Sequence, residues 1–562
     1  TGYCSNTPKN WNQNWEKPVS LEFFEESGEP GFSLNAGMKI GGGCTRLYPQ
    51  KTLAIYVRSQ YGMSKINYRI FKDKNIISFN NLVLRNAGQD WYRAMFRDGM
   101  MQTLVKDCMD LDWQAFRPAI LFLNGEYWGI HNIREKHNEH YFESNYGIDP
   151  DSIDLLVGNA SVKIGDANHY NNLINYISSN DMTLNANYDY VTTQMDINEY
   201  INYQIAEIYF ANIDWPGGNI KYWRPKTPTG KWRWVLFDTD LGFGAHQLGQ
   251  YYSNTLENAT ATSATYYANP PWSTFLFRKL LENEEFRTSF IQRFAIHLAT
   301  TFEPEMVIQI IDSLQALIAP EIPRHISRWE SSLSFGEGWE GNVDIMREFA
   351  ENRPIYIRMH LREKFDLIGT AKLTVRNSSP NIGTIIINQV SIADSVCVIK
   401  YFKDFPMHLT ALPKEGYRFV GWQGISNLDT NSITISLTNN TEIRAIFEEV
   451  TIGVISCSPV LPAQFTLEQN YPNPFNSCTN IKYAIPKRLK VTITVYNISG
   501  QVVTVLVNQL KEPGYYSVQW NSSRISSGVY FYRIKACDPS LGLTKGQAVQ
   551  IFTDVKKCVI IK

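Results

Sequence analysis

The hydrophobic period changes twice along this chain, and that change limits what it can fold into. From residue 1 to about 369, strand-like and helix-like segments mix. From 370 to 449, apolar and polar residues alternate between turn residues, the two-residue period of half-buried strands. Residues 450–463, ending Ser458-Pro459-Val460-Leu461-Pro462, read as a linker. Alternation then returns over 464–562, with turns at Ser499-Gly500, Pro513-Gly514 and Ser527-Gly528 at sandwich-like spacing. The expected class is α+β: a large mixed domain over 1–369, a β-rich module over 370–449, the linker, and a β-sandwich over 464–562.

Charge narrows the function classes. The 562 residues hold 53 basic and 54 acidic side chains, a net charge of -1 that argues against a nucleic-acid or polybasic membrane binder. The last region is the exception, with 12 Lys and Arg against four Asp and Glu, a balance suited to an anionic partner. Hydrophobic residues at 44% allow a large core. No run of about 18 apolar residues stands out, so no transmembrane segment is expected. The eight cysteines are scattered with no Cys-x-x-Cys pair, which argues against zinc and leaves disulfide pairing open. The first residue is Thr1, so an N-terminal portion is expected to be missing.

Within the first region, residues 19–24 and 53–57 read as strands. Residues 119–123 and 127–133 read as a hairpin about Asn124-Gly125-Glu126, because Asn-Gly supplies positive φ. Ile201, Ile205, Ile208 and Tyr209 mark a helix over 198–211. Residues 232–237 read as a strand running into Asp238, and 272–367 as helical, with a helix starting at Glu303-Pro304. A sheet part followed by a helical part places a ligand cleft between them.

Two short stretches carry chemistry. One is Asn212-Ile213-Asp214-Trp215-Pro216-Gly217-Gly218-Asn219; the other is Phe237-Asp238-Thr239-Asp240-Leu241-Gly242-Phe243-Gly244. Phosphoryl transfer needs a carboxylate near the attacking hydroxyl, oxygen ligands for Mg²⁺ and fixed positive charge on the phosphates. Asp214 and Asn219 have the Asp-x-x-x-x-Asn spacing of a kinase catalytic loop, and Asp240-Leu241-Gly242 resembles the Asp-Phe-Gly element. Asp238 and Asp240 would face one side of a continuing strand, and two close carboxylates call for a cation. Lys39-Ile40-Gly41-Gly42-Gly43-Cys44-Thr45-Arg46 is a strand running into glycines whose N–H groups can approach phosphates; the competing reading is a plain turn. Lys51 follows, with Glu135 as its expected ion-pair partner. Arg97-Asp98 and the group His131, His137 and His140 suggest no particular chemistry.

These residues resemble the CotH kinases, spore-coat-protein-H-like atypical protein kinases. The resemblance runs over most of 15–369, through Ala36-Gly37-Met38-Lys39-Ile40-Gly41-Gly42, Pro49-Gln50-Lys51 and Leu84-Arg85-Asn86-Ala87-Gly88. It continues in Arg117-Pro118, Asn124-Gly125-Glu126-Tyr127-Trp128-Gly129, Arg134-Glu135-Lys136, Asn219 and Phe237-Asp238-Thr239-Asp240. It implies a two-lobed, kinase-like domain that transfers the γ-phosphate of ATP, with Mg²⁺ or Mn²⁺, to Ser or Thr of secreted or surface proteins. Carried over, Asp214 is the catalytic residue, and Asn219, Asp238 and Asp240 hold the metal. Lys51, Arg46, Glu135, Gly42 and Gly43 face the nucleotide. The chain departs from the family where Gly41-Gly42-Gly43-Cys44-Thr45 replaces the usual Arg-Gly-Asn-Ser-Ser, and where Leu236-Phe237-Asp238 replaces Pro-Trp-Asp.

Gly416-Tyr417-Arg418-Phe419-Val420-Gly421-Trp422 with Ala445-Ile446-Phe447 resembles a secreted bacterial repeat module. Tyr471-Pro472-Asn473-Pro474-Phe475-Asn476, Gly528-Val529-Tyr530-Phe531 and the closing Lys556-Lys557-Cys558-Val559-Ile560-Ile561-Lys562 resemble the Ig-like sorting domain of type IX secretion. That likeness implies contact with the secretion machinery and a place outside the cell, released or surface-attached. Three functions follow as expectations: an exported protein kinase, an inactive pseudokinase serving as an adhesion scaffold, or an AMP transferase built on the same site.

Overall fold

The computed structural model describes residues 9–263, 269–330, 337–425, 430–450, 462, 464–476, 478–522, 525–538 and 549–561. Most of the linker expected at 450–463 lies outside these residues, as do Cys4, Cys457 and Lys562. The chain forms two compact units, Thr1–Val450 and Thr451–Lys562.

The first unit opens with an antiparallel sheet. Its strands are β1 (Lys17–Phe24), β2 (Pro30–Ile40), β3 (Leu53–Tyr56), β6 (Asn81–Arg85), β7 (Phe116–Leu123) and β8 (Glu126–Arg134), in the order β1-β2-β3-β6-β8-β7. A short ribbon, β4 (Ile66–Asn67) and β5 (Ser78–Phe79), lies within the β3–β6 connection. The β7–β8 turn forms as the Asn-Gly pair requires, with Asn124 at φ 52° and Gly125 at φ 81°. Leu53, Ile55, Leu82, Leu84 and Ile133 share one apolar cluster. Lys39 pairs with Ala54, and Ala54 with Val83, so these three residues share a row across the sheet. Arg85 is two residues beyond Val83 on β6 and projects on the same face.

A second sheet, ordered β10-β9-β11-β12, joins β9 (Ile153–Val157), β10 (Ser161–Ile164), β11 (Lys221–Pro225) and β12 (Arg233–Trp234). The strand expected over 232–237 shrinks to these last two residues. Leu236 N–H turns to Asp112 O at 3.0 Å, and Asp238 takes a left-handed φ of 58°, so a regular ladder cannot continue.

Eleven helices complete the mixed part among the described residues: α1 (Arg97–Val105), α2 (Glu139–Tyr146), α3 (Asn168–Ser179), α4 (Asn185–Gln194), α5 (Ile197–Phe210), α6 (Thr255–Thr260), α7 (Pro271–Glu282), α8 (Glu284–His297), α9 (Pro304–Ile318), α10 (Ile322–Trp329) and α11 (Gly338–Lys364). Helix α5 starts where Asp196 accepts the Glu199 N–H at 3.2 Å. Glu303 caps α9 by accepting from Met306 N, with Pro304 in the first turn as its sequence predicts.

One helical stretch has the length and hydropathy of a membrane span. Pro304–Trp329 is 26 residues long and contains an 18-residue window of mean hydropathy 1.2, long and apolar enough by composition to cross a membrane. In the structure it is two helices parted by a 3-10 turn at Ala319–Glu321, and Val307, Ile311, Ile318 and Ile322 enter the main core.

The rest of the first unit is all β. Strands β13 (Thr370–Asn377), β14 (Gly383–Ile387), β15 (Val390–Ile392), β16 (Val396–Phe402), β17 (Pro406–Pro413), β18 (Tyr417–Gln423), β19 (Ser432–Ser436) and β20 (Thr441–Glu449) form two sheets, β16-β13-β20-β18 and β15-β14-β17-β19. This module rests on α8, where Gln292 Nε2 donates to Pro406 O at 2.9 Å and Arg293 reaches Gln389. The second unit packs sheets β21-β22-β25 and β24-β23-β26-β27. These comprise β21 (Thr466–Leu467), β22 (Cys478–Ile485), β23 (Leu489–Asn497), β24 (Val502–Lys511), β25 (Gly514–Asn521), β26 (Gly528–Asp538) and β27 (Val549–Ile560). Its core includes Ile481, Val491, Ile493, Trp520 and Ile534.

Arg353, fully buried on α11, braces the helical part. Its guanidinium donates to Ile208 O at 2.7 Å, Tyr209 O at 2.9 Å, Tyr251 O at 2.8 Å and Ser253 O at 2.7 Å. The first two are carbonyls of the last turn of α5, which lack intrahelical donors. Replacing Arg353 with Leu would strand several buried acceptors. The expected cost is at least ~3 kcal/mol, read as a lower urea midpoint.

Candidate active site

Helix α5 ends at Ala211, whose left-handed φ of 52° turns the chain into the loop 212–219. Asn212 fastens the loop. Its Nδ2 donates to Glu207 Oε2 at 3.0 Å, and its Oδ1 accepts from Asp214 N at 3.3 Å. Gly218 N–H closes back on Asp214 O at 2.7 Å, and Trp215 is buried beneath. Asp214 is half-buried. Asn219 ends the loop at φ 50° and donates from Nδ2 to Asp238 O at 3.0 Å. That bond ties the first acidic stretch to the second.

The second stretch is held from the sheet. Arg85 Nη2 bonds Asp240 Oδ2 at 2.6 Å and contacts Asp238 Oδ1. Asp240 Oδ2 also accepts the Gln89 N–H at 2.8 Å. The Asp240 side chain is 4% exposed and that of Asp238 37%. Burial drives the Asp240 carboxyl up, to about 7, while Arg85 opposes the shift. Between the two acids, Thr239 gives its N–H at 3.0 Å and its hydroxyl at 2.8 Å to Asp98 Oδ1. Asp98 pairs through its other oxygen with buried Arg134. Burial works against the Asp98 carboxylate, but Arg134, Arg85 and Thr239 outweigh it and hold the group well below the usual range.

The sequence expects Asp238 and Asp240 to face one way because they sit on a strand. They do converge, but on an irregular segment and upon Arg85. The cation between them is the Arg85 guanidinium, a partner that residue spacing does not reveal.

A pocket of about 250 Å³ opens on the same sheet face as Arg85, lined by Lys39, Gly41, Gly42, Arg46, Thr52, Tyr56, Val83 and Lys136 among others. Gly42 and Arg46 therefore stand at a basic recess. Gly42 has φ 89°, and a Cβ there would lie 2.6 Å from Thr45 Oγ1. The glycines lead into a 3-10 turn, Cys44–Leu47, rather than a tight hairpin, and Cys44 is disulfide-bonded. Gly43 caps that turn.

Lys51 and Glu135 do not form the expected pair. Lys51 Nζ donates to Arg46 O at 2.7 Å and to Tyr48 O, and lies 4.5 Å from the Trp11 ring centre. Glu135 instead pairs with Lys74 at 2.6 Å, both nearly buried, and accepts from Ala115 N at 2.9 Å and Asn145 Nδ2 at 2.9 Å. A distant lysine on a loop could not be matched to Glu135 by spacing. Lys136 and Lys39, neither singled out from sequence, bring the positive charge into the pocket. Lys221 adds to it nearby: it donates to His137 O at 3.2 Å, and burial lowers its pKa to about 8 against the pull of Asp238.

The hard oxygen donors of Asp238 and Asn219 suit a divalent cation in kind. Among the described residues no three His, Cys, Asp or Glu side chains gather as a metal group. A bound ion would therefore draw further ligands from a phosphate or water.

A six-stranded sheet, a helical part and two acidic loops tied to the sheet face that bears a basic recess define a mixed α+β protein. The CotH kinase protein family matches residues 38–357, more than half of the chain, and the chain belongs to that family. The divergent InlB B-repeat domain matches residues 403–451 and the secretion system C-terminal sorting domain residues 469–541. The sorting domain marks the chain for secretion to the outer surface. Comparison with curated proteins returns no match. Among solved structures, dimeric latent PorU from Porphyromonas gingivalis is 12% identical, with a TM-score of 0.14, over 33% of this chain and 16% of that one. A putative carbohydrate binding protein from Bacteroides uniformis is 9% identical, with a TM-score of 0.13, over 34% of this chain and 99% of that one.

Asp98 yields a stability test. Its folded pKa is depressed, so its contribution is present above the unfolded value of about 4 and is lost as pH falls below it. Asp98→Asn should cost ~3 kcal/mol at pH 7, because it leaves Arg134 buried without its partner charge. Urea titrations at pH 7 and pH 3 should show a smaller gap between variant and wild type at the lower pH.

Proposed function

We propose that the first unit is an exported protein kinase that transfers the γ-phosphate of ATP to Ser or Thr hydroxyls of secreted or surface proteins. One observation carries this reading. Asn219 of the Asp214 loop reaches the Asp238 backbone, while Arg85 joins Asp238 and Asp240 to the sheet face that bears the basic pocket.

In this reading the triphosphate lies along Lys39, Arg46 and Lys136, with the Gly42 loop allowing close backbone approach. Asp238 and Asn219 would hold Mg²⁺ or Mn²⁺, and Asp240 anchors Arg85 rather than the ion. A bound divalent ion supplies charge neutralisation on the transferring phosphoryl group. Asp214 orients the substrate hydroxyl and takes its proton. The hydroxyl oxygen bonds to the γ-phosphorus, the bond from that phosphorus to the bridging oxygen breaks, and ADP departs. Arg85 stays paired with the acids and keeps the loop fixed, so no rearrangement is needed as charge moves. The C-terminal sorting domain delivers the enzyme to its substrates through contact with the secretion machinery.

Asp214→Ala should abolish ³²P transfer from γ-labelled ATP to a casein-type acceptor while leaving the melting temperature within about 4 °C of wild type, as expected for a half-buried loop side chain outside the core. Lys39→Ala should leave transfer measurable but raise the KM for ATP about tenfold. Full incorporation by the Asp214 variant would overturn the assignment. A wild-type chain whose melting temperature ignores millimolar ATP and Mg²⁺ would favour the inactive scaffold, and a mass gain matching AMP on the acceptor would favour AMP transfer.

A further inference from the structure

The Asp238–Asp240 pair is arranged differently from an open acidic site. A single nitrogen, Arg85 Nη2, bonds Asp240 Oδ2 at 2.6 Å and touches Asp238 Oδ1. That is the position in which a cation bridges two carboxylates. The same Asp240 oxygen accepts the Gln89 N–H at 2.8 Å, and the side chain is 4% exposed, so little of it remains for a metal. The surroundings leave room for this arrangement and little else. Gly88 has φ 65°, and a Cβ there would lie 1.9 Å from Asp240 Oδ2 and 2.5 Å from Arg85 Nη2. Asp238, by contrast, is 37% exposed and lies beside Asn219.

The geometry points to a site that takes one divalent ion, at Asp238, with Arg85 serving as a permanent second positive charge. This inference rests on the proposed nucleotide reading. Protein kinases of the two-metal kind neutralise the phosphates with two ions that must be recruited from solution. Here one of those charges is covalently part of the chain. A second divalent ion at Asp240 would meet a 4% exposed carboxylate whose Oδ2 already accepts from Arg85 and Gln89, whereas Asp238 keeps an open face. Arg85 is thus a positioning residue that also fixes metal stoichiometry.

The test counts ions directly. The full chain is loaded with one equivalent of AMP-PNP, and Mn²⁺ is titrated while the free-ion electron paramagnetic resonance signal is followed. Wild type should saturate at one Mn²⁺ per complex, Arg85→Met at two, and Arg85→Lys at one, because lysine restores the charge. Saturation of wild type at two, or of the Met variant at one, overturns the inference and leaves the nucleotide reading standing. Equilibrium dialysis of AMP-PNP against wild type reports on that reading separately: no retention removes both. Should the Met variant fail to fold, the wild-type and Lys counts still decide.

Discussion

One guanidinium holds the two halves of the candidate site together. Arg85 stands at the end of a central strand and reaches both acids of an irregular loop supplied by the other lobe. Loops of this kind have no ladder to satisfy their backbone or fix their direction. Without such a tether, two carboxylates two residues apart would repel and splay. Thr239 strengthens the tether from within, since both of its donors end on Asp98, which is itself paired with Arg134 of the sheet. Three consecutive residues are thereby referred to the same six-stranded framework.

The helical side uses the same device. Buried Arg97 pairs with Asp90 at 3.0 Å and also contacts Phe243 O, just after the acidic stretch. Phe243 N–H in turn donates to Phe210 O at 2.6 Å, where α5 ends. Gly242 sits where a Cβ would come within 2.8 Å of that carbonyl, so the loop can approach the helix only with glycine there. The acidic loops are therefore clamped from both sides.

The regular elements were legible in the sequence where local chemistry governs them. The Asn124-Gly125 hairpin, the Ile201–Ile205–Ile208 helical stripe and the Glu303-Pro304 start all rest on short-range rules, and each forms. The strand leading to Asp238 failed because the Leu236 N–H goes to Asp112, more than a hundred residues away in sequence. The Lys51–Glu135 pairing failed in the same way: Lys74 and Glu135 meet through tertiary packing that no spacing encodes. Arg85 stood in the sequence only as part of the family-like stretch 84–88, and its two acidic partners lie about 150 residues on. Alternation served the β modules well because their strands each bury one face. Pro304–Trp329 was not noticed as a span-length helix, since its charged residues break every simple apolar run.

The central claim is that a nucleoside triphosphate binds across the sheet face of Arg85, beside the two acidic loops. A crystal of the complex with AMP-PNP and Mn²⁺, measured at a wavelength where manganese scatters anomalously, tests it most directly. The account predicts the triphosphate against Lys39, Arg46 and Lys136, with one anomalous peak beside Asp238 and Asn219 and Arg85 still bridging the acids. A triphosphate bound elsewhere on the chain, or a manganese peak in the place of the Arg85 guanidinium, would contradict it.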